Sequence, residues 1–247
     1  MADSGFDNAL WDGYAPFFAR EEDEVYPSDR AEESFYANLR LQRPGPCLEL
    51  GAGHGRLAGV LSREGLLFAL EPSGAMLGLW SAEASSRALR VRALAEMPPF
   101  LDGAFRLVLF PYNGYHCILD RRMRVRAMSE AKRMLGSGGL LCMEVCPMLA
   151  AMPEERSAKR YDRTASGGPM LVEDVFQDLR RDLVVFDMDY RWADGGRKRL
   201  VLELARLSSD QVVDEAEEAG LRALELWGDY DRSEWVADSP RLLLLAE

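Results

Sequence analysis

The sequence is poor in the residues that build metal and redox sites. It has four cysteines and two histidines in 247 residues. The cysteines are Cys47, Cys117, Cys142 and Cys146, and no two form a C-x-x-C pair. That argues against a zinc or thioredoxin-type site. Three of them fall in apolar predicted strands and Cys117 sits just past one, so they read as buried small hydrophobes. No metal is expected. Positive charge is also short: 30 Lys and Arg stand against 41 Asp and Glu, a formal net charge of −11. Non-specific nucleic-acid binding needs a basic footprint, so no nucleic-acid partner is expected. No apolar run approaches the roughly 20 residues that span a bilayer, which excludes a spanning helix and leaves no membrane partner. The segment MADSGFDNAL carries neither a basic n-region nor an apolar h-region, and the expectation is a cytoplasmic protein. Neither an internal repeat nor a low-complexity linker is visible.

What is present is an ordinary globular composition, 48% hydrophobic and 29% charged. The length suits one large domain or one domain with a subdomain. The chain is organised around Pro46 to Met76. Cys47, Leu48 and Leu50 form a short apolar run that suits a buried parallel strand. Gly51, Gly53 and Gly55 break it, and Arg56 to Arg63 carries Leu57, Val60 and Leu61 at helical spacing. Leu66 to Leu70 is a second apolar run that ends on Glu71. Glycines after a first strand let the backbone turn tightly and lie against a bound molecule. The free N–H groups of the following helix start favour a negative group. An acidic residue closing the second strand can accept hydrogen bonds from both hydroxyls of a ribose. These features describe a nucleoside-bearing cofactor at the C-terminal edge of a parallel sheet.

A dinucleotide fingerprint requires G-x-G-x-x-G. Here the spacing is G-x-G-x-G, and Arg56 stands where the third dinucleotide glycine would be. The pattern E-L-G-A-G-H-G, followed by A-L-E-P-S, instead resembles the S-adenosylmethionine site of class I methyltransferases. The resemblance runs from about Tyr14 to the C-terminus. It implies an α/β fold: a doubly wound, mostly parallel seven-stranded sheet with the last strand antiparallel. It also implies S-adenosylmethionine as cofactor and S-adenosylhomocysteine as product.

By that resemblance the cofactor lies against Glu49, Gly51, Ala52, Gly53, Gly55, Arg56, Glu71 and Pro72. Glu49 anchors the methionine end, and Met76 packs on adenine. The stretch Ala95-Glu96-Met97-Pro98-Pro99-Phe100 resembles the segment that reads adenine. Leu94 stands where the family often has Asp, so the adenine contacts fall to Ala95 and Glu96. The fourth predicted strand, Arg106 to Phe110, delivers Pro111-Tyr112-Asn113-Gly114-Tyr115-His116. F-P-Y-N resembles the motif of small-molecule N- and O-methyltransferases, including enzymes of secondary metabolism. Pro111 and Asn113 would face the cofactor, and Tyr115 and His116 the acceptor. The expected catalytic residues are His116 as proton acceptor, Tyr115 as an orienting group and Tyr14 near the methionine end. The alternative for His116 is to cap the next helix or pack. Tyr14 and Phe18 belong to an aromatic N-terminal segment that resembles a lid, and the acidic run Glu21 to Glu24 after it reads as a solvated face.

Further predicted elements are helices over Ala31 to Leu41, Ser73 to Trp80, Asp120 to Leu135 and Ser208 to Ala219. Strands are predicted over Leu89 to Leu94, Leu140 to Val145, Leu221 to Trp227 and Arg241 to Ala246. The phrase MLGSGGLLCMEV resembles the family's L-K-P-G-G-x-L-x-x-E segment. Pro147 to Gly168 reads as irregular. Met170 to Gln177, Leu183 to Trp192 and Arg197 to Leu207 read as β stretches, with a hairpin turn at Asp194-Gly195-Gly196. They read as an inserted antiparallel β lid, which the resemblance implies roofs an acceptor pocket or makes a homodimer contact, with Phe176, Phe186, Tyr190 and Trp192 as candidate lining.

The expected organisation is an N-terminal helical lid (1–41), a cofactor-binding unit (42–150 and 206–247) and a β cap (151–205). The expected reaction is in-line methyl transfer to a nitrogen or oxygen of a small molecule. The alternatives are an NAD(P)-dependent oxidoreductase on a similar sheet, and a non-catalytic S-adenosylmethionine-binding protein.

Overall fold

A computed structural model describes residues 10–15 and 29–247, except Ser157 and Arg163 and the side chains of residues 83–85 and 166. The expectations for residues 1–9, Phe18 and Glu21 to Glu24 lie outside the described residues.

Seven strands form one sheet in the order β3-β2-β1-β4-β5-β11-β10. They are β1 (Cys47–Leu50), β2 (Leu67–Leu70), β3 (Ala88–Val91), β4 (Phe105–Phe110), β5 (Leu135–Val145), β10 (Ala223–Trp227) and β11 (Leu242–Ala246). β11 runs antiparallel to both its neighbours, β5 and β10, and every other pair is parallel. Every residue of β1 and β11 is buried, as strands covered on both faces must be. Alternation along β4 divides the core. Val108 and Phe110 join Leu48, Met128 and Val212 on one face, and Leu107 and Leu109 join Phe35, Leu39 and Leu61 on the other.

The helices are α1 (residues 10–15), α2 (Arg30–Gln42), α3 (Ala58–Leu61), α4 (Gly74–Gly78), α5 (Ala82–Arg87), α6 (Arg121–Met134) and α7 (Ser209–Glu218). Their starts follow capping chemistry. Asp120 accepts from the amides of Arg122 and Met123, and Ser208 and Gln211 form a reciprocal capping box. A buried bidentate pair, Arg124 to Glu215, joins α6 to α7.

A second sheet of four antiparallel strands is inserted between β5 and α7: β6 (Ala158–Asp162), β7 (Met170–Asp178), β8 (Leu183–Arg191) and β9 (Arg197–Ala205). The β8–β9 hairpin turns at Gly195 (φ +84°), and the Trp192 amide donates to the Gly196 carbonyl at 2.8 Å.

Four predicted elements differ from the structure. The helix expected over Arg56 to Arg63 shrinks to α3, because the glycine turn continues to Gly55 (φ +85°) and the Arg56 side chain is held by Glu32. The third strand is Ala88–Val91 rather than Leu89 to Leu94, which leaves Leu94 in the loop at the site. Strand β5 starts at Leu135 rather than Leu140, through glycines whose lack of side chains hides any alternation. A Cβ at Gly136 would stand 2.9 Å from the Gly103 carbonyl oxygen, so the backbones meet directly there. Strand β6 lies in the stretch expected to be irregular, and its five residues are all exposed, so it carries no apolar signal.

Candidate active site

The strand ends of β1, β2 and β4 open into a cavity of about 380 Å³, inside the range of roughly 300–1,000 Å³ typical of ligand pockets. The cap sheet covers it and α1 closes one side.

Gly53 (φ +54°) is the part of the first turn that is left open. A Cβ built there meets nothing within 4 Å, so the turn leaves room along its backbone. Its amide donates to Glu71 Oε2 at 2.9 Å, and the Ser73 amide donates to Glu71 Oε1 at 2.9 Å. One carboxylate thus ties the glycine turn to the start of α4, and each oxygen keeps a lone pair for a ligand. Burial holds the Glu71 carboxyl up at about 6, against the pull of those two amides. Gly55 serves another purpose: a Cβ there would stand 2.6 Å from the Trp80 ring. Trp80 supports the turn from outside the cavity by donating to the Gly53 carbonyl at 2.9 Å. Gly55 therefore does not line the cavity, contrary to expectation, and its missing side chain admits an indole.

Glu49 is 3% exposed, and its Oε2 makes no hydrogen bond among the described residues. Burial pushes its carboxyl up to about 8, with the Arg56 guanidinium pulling the other way. A buried carboxylate oxygen facing a cavity is costly unless a ligand completes it. Arg56 also lines the cavity, but its charge is already engaged. It forms a fork to Glu32 of α2, at 2.6 Å on one arm, and lies over the Tyr112 ring with 5.5 Å to the centroid.

The segment after β4 is held in an unusual conformation. Tyr112 has φ +54°, and its amide donates to Glu144 Oε2 at 3.1 Å. Glu144 is buried at the end of β5 and also accepts from Tyr36 at 3.0 Å and Tyr230 at 2.9 Å. This carboxylate fixes the turn that presents Pro111 and Asn113 to the cavity.

Helix α1 is docked by Asp12, which sequence reasoning missed. Ser73 donates its hydroxyl to Asp12 at 2.7 Å and accepts from the Met76 amide at 3.1 Å. The Ser73 hydrogen bond holds the Asp12 carboxyl below its ordinary range. This places Trp11 and the buried Tyr14 at the cavity wall, where Tyr14 packs with Met76, Met188 and Tyr190.

Tyr14, Glu49, Gly51, Ala52, Gly53, Arg56, Glu71, Pro72, Met76, Ala95, Glu96, Pro111 and Asn113 all line the cavity. Tyr115 and His116 do not, and both expectations are corrected. Tyr115 is fully buried and donates to Glu215 at 2.6 Å; burial and that carboxylate keep its phenol protonated. His116 is also fully buried. Its Nδ1 bonds the Ala205 carbonyl at 2.8 Å, and its Nε2 accepts from the Cys146 amide at 3.0 Å. The Cys146 N–H can only donate, so the proton sits on Nδ1, the ring is neutral and no nitrogen remains to act as a base. Burial lowers its pKa to about 4.

Of the four aromatics proposed for the pocket, only Phe186 lines it. Phe176 stacks under Arg156 at 4.4 Å, and Tyr190 stacks with Trp192 at 6.1 Å. Met188, Leu202, Leu204 and Glu173 line it instead, and the two-residue alternation of β7 to β9 is the signal that marks their face.

Residues 48–143 match the protein family described as a methyltransferase domain. No curated protein sequence matches the chain. Among solved structures, the CcbJ methyltransferase from Streptomyces caelestis is 18% identical, with a TM-score of 0.83 over 98% of this chain and 99% of that one. An S-adenosylmethionine-dependent methyltransferase from Clostridium acetobutylicum ATCC 824 is 14% identical, with a TM-score of 0.80 over 96% of this chain and 98% of that one. The S-adenosylmethionine-bound CalS10 from Micromonospora echinaspora, an amino pentose methyltransferase of calicheamicin biosynthesis, is 15% identical, with a TM-score of 0.67 over 94% of each chain. At these identities the likeness establishes the fold.

Proposed function

We propose that the chain, whose residues 48–143 match the methyltransferase-domain family and whose large sheet has the class I, Rossmann-like strand order, methylates a nitrogen or oxygen of a small molecule. The cofactor is S-adenosylmethionine. One observation carries the reading: Glu49, buried with a carboxylate oxygen that is unbonded among the described residues, stands beside an open glycine turn that Glu71 braces from the next strand. A cationic amino group completes Glu49, a ribose meets the free lone pairs of Glu71, and Met76, Leu94, Ala95 and Glu96 wall the place for the base.

When bound, S-adenosylmethionine supplies a methyl group on a positively charged sulfur, activated for displacement. The work of the protein is to hold nucleophile, methyl and sulfur in line, and such positioning is worth at most roughly 7–11 kcal/mol. Glu144, through the Tyr112 amide, fixes Pro111 and Asn113 for that purpose. Tyr14 and Trp11, whose rings lie 5.4 Å apart, close the side wall and present aromatic faces that suit a cationic sulfur. With His116 committed, an acceptor proton leaves by water or by a carboxylate of the cavity.

The same proposal places the reaction in secondary metabolism and in the cytoplasm, and takes the β insertion as an acceptor cap or a homodimer contact; sedimentation of the free chain tests the last point. Calorimetry with S-adenosylhomocysteine tests the cofactor site. Saturable binding that is weakened in Glu49→Gln is expected, with no thermal shift from NADH. Absence of heat from both forms of the cofactor overturns the reading.

A further inference from the structure

Trp80 is buried just past the end of α4 and is not among the residues that line the cavity. Its ring fits there because Gly55 has no side chain. Packing alone explains a ring at that place, and phenylalanine would also supply one. The indole adds an N–H, and that group donates to the Gly53 carbonyl at 2.9 Å. Gly53 is only partly buried, in a turn with open space beside it, so its carbonyl does not depend on Trp80 to escape desolvation. Burial therefore accounts for the ring of Trp80 and leaves its N–H to be explained.

That hydrogen bond closes a circuit around Glu71. The Gly53 amide donates to Glu71 Oε2 and the Ser73 amide to Glu71 Oε1, both at 2.9 Å. Ser73 caps the start of α4, and Trp80 follows its end. From Glu71 the path runs to Gly53, through the indole to the end of α4, and back along that helix to Ser73 and Glu71. Arg90 of β3 braces the circuit from outside. It donates to the Leu77 carbonyl of α4 at 2.6 Å and lies over the Trp80 ring, 5.9 Å from the centroid.

The circuit decides where the Glu71 oxygens point. Each is held by one amide, and the two amides belong to different segments, the glycine turn and α4. Only while those segments keep a fixed separation do both oxygens keep their free lone pairs aimed into the cavity. A binding group has to be held within about 0.5 Å to be effective, and the Trp80 N–H is the tie that fixes this separation from the far end of α4.

We propose that Trp80 is a positioning residue for the cofactor: through Gly53 it sets the Glu71 carboxylate to receive two neighbouring hydroxyls, and so confers selectivity for ribose over deoxyribose. This rests on the methyl-transfer reading and deepens it with a residue that touches no ligand. The test titrates the full chain calorimetrically with S-adenosylhomocysteine and with its 2′-deoxy and 3′-deoxy analogues. The unaltered protein is expected to bind S-adenosylhomocysteine about tenfold or more tightly than either analogue, because each missing hydroxyl gives up a hydrogen bond to a charged acceptor. Trp80→Phe keeps a ring under Gly55 and removes the donor. Trp80→Leu, run beside it, keeps a smaller apolar plug, so either folded variant supplies the comparison. In these variants the preference is expected to fall to about threefold or less, while affinity for the deoxy analogues stays within about twofold. A merely structural role would weaken all three ligands alike, and that result overturns the proposal. So does a preference that survives in the variants, or its absence from an unaltered protein that binds S-adenosylhomocysteine. If the unaltered protein binds none of the three, the cofactor reading itself falls and takes the proposal with it.

Discussion

Burial holds the Glu49 carboxyl at about 8, against an ordinary value of 4.5, so the folded protein without cofactor favours its neutral form. The stability this contributes is fully present below about pH 4.5 and is lost as pH rises through 8; at pH 7 the penalty is about 3 kcal/mol. Glu49→Gln should therefore raise the melting temperature of the free protein at pH 7–8 by several degrees and leave it little changed at pH 4.5. The same variant should lose about thirtyfold or more in affinity for S-adenosylhomocysteine, since a buried charge pair loses one partner. Because a cationic amino group calls for the ionised carboxylate, binding at pH 7 should release a proton. Calorimetric enthalpies in phosphate and Tris buffers should then differ with that sign. His116 is a second residue-scale test. His116→Ala leaves the Cys146 amide and Ala205 carbonyl without their partner, at a cost of about 1–3 kcal/mol each. Melting temperature should fall while cofactor affinity holds. The neutral ring contributes stability above its ordinary value of 6.5 that is lost as pH falls toward about 4, so the gap between the two proteins should narrow over that window.

Two elements carry the geometry of the site: the docked helix α1 and the turn after β4. Helix α1 hangs on Asp12 and Ser73, a contact near the surface, so Asp12→Ala should leave the melting temperature nearly unchanged. It should weaken cofactor binding several-fold and speed proteolysis near residue 15, because the rings of Trp11 and Tyr14 lose their anchor. The turn hangs on Glu144. Glu144→Ala leaves the Tyr36 and Tyr230 hydroxyls and the Tyr112 amide buried and unbonded, and about 3–5 kcal/mol of stability should be lost. Glu144→Gln, whose amide oxygen can still accept from Tyr112 while its NH2 donates to the Tyr230 hydroxyl, should retain most of the stability, and amide exchange at Tyr112 should quicken in Glu144→Ala but not in Glu144→Gln. These elements were unequally legible in the sequence. The strand, turn, helix and acidic strand end of the first crossover sit within 25 residues, and each states its role by residue type. Asp12 gives no such signal, because its partner Ser73, the N-cap of α4, lies 61 residues away.

At the scale of the molecule, the two sheets meet at the cavity. The large sheet supplies a floor of backbone and carboxylates, and the cap supplies a mostly apolar roof. His116 joins Cys146, just past the end of β5, to Ala205, the last residue of β9, so it fastens the cap at its root. Hydrogen exchange should show this as faster exchange confined to β7, β8 and β9 in His116→Ala, with β1, β4 and β5 unaffected.

The amino-acid sequence by itself determined the order of strands and helices apart from α5 and β6, the glycine elbow, the acidic residues at the strand ends and the three longer strands of the β insertion. These depend on local turn chemistry and on alternation over a few residues, which a linear reading can follow. Only the tertiary structure decided which groups reach the cavity. It turned Tyr115 toward Glu215, 100 residues away, and His116 toward Ala205, 89 residues away; it set Gly55 under Trp80 and Glu173 beneath the cap. The physical reason is that a buried polar group bonds whichever partner the packing of distant segments brings to it, and sequence spacing does not encode that partner.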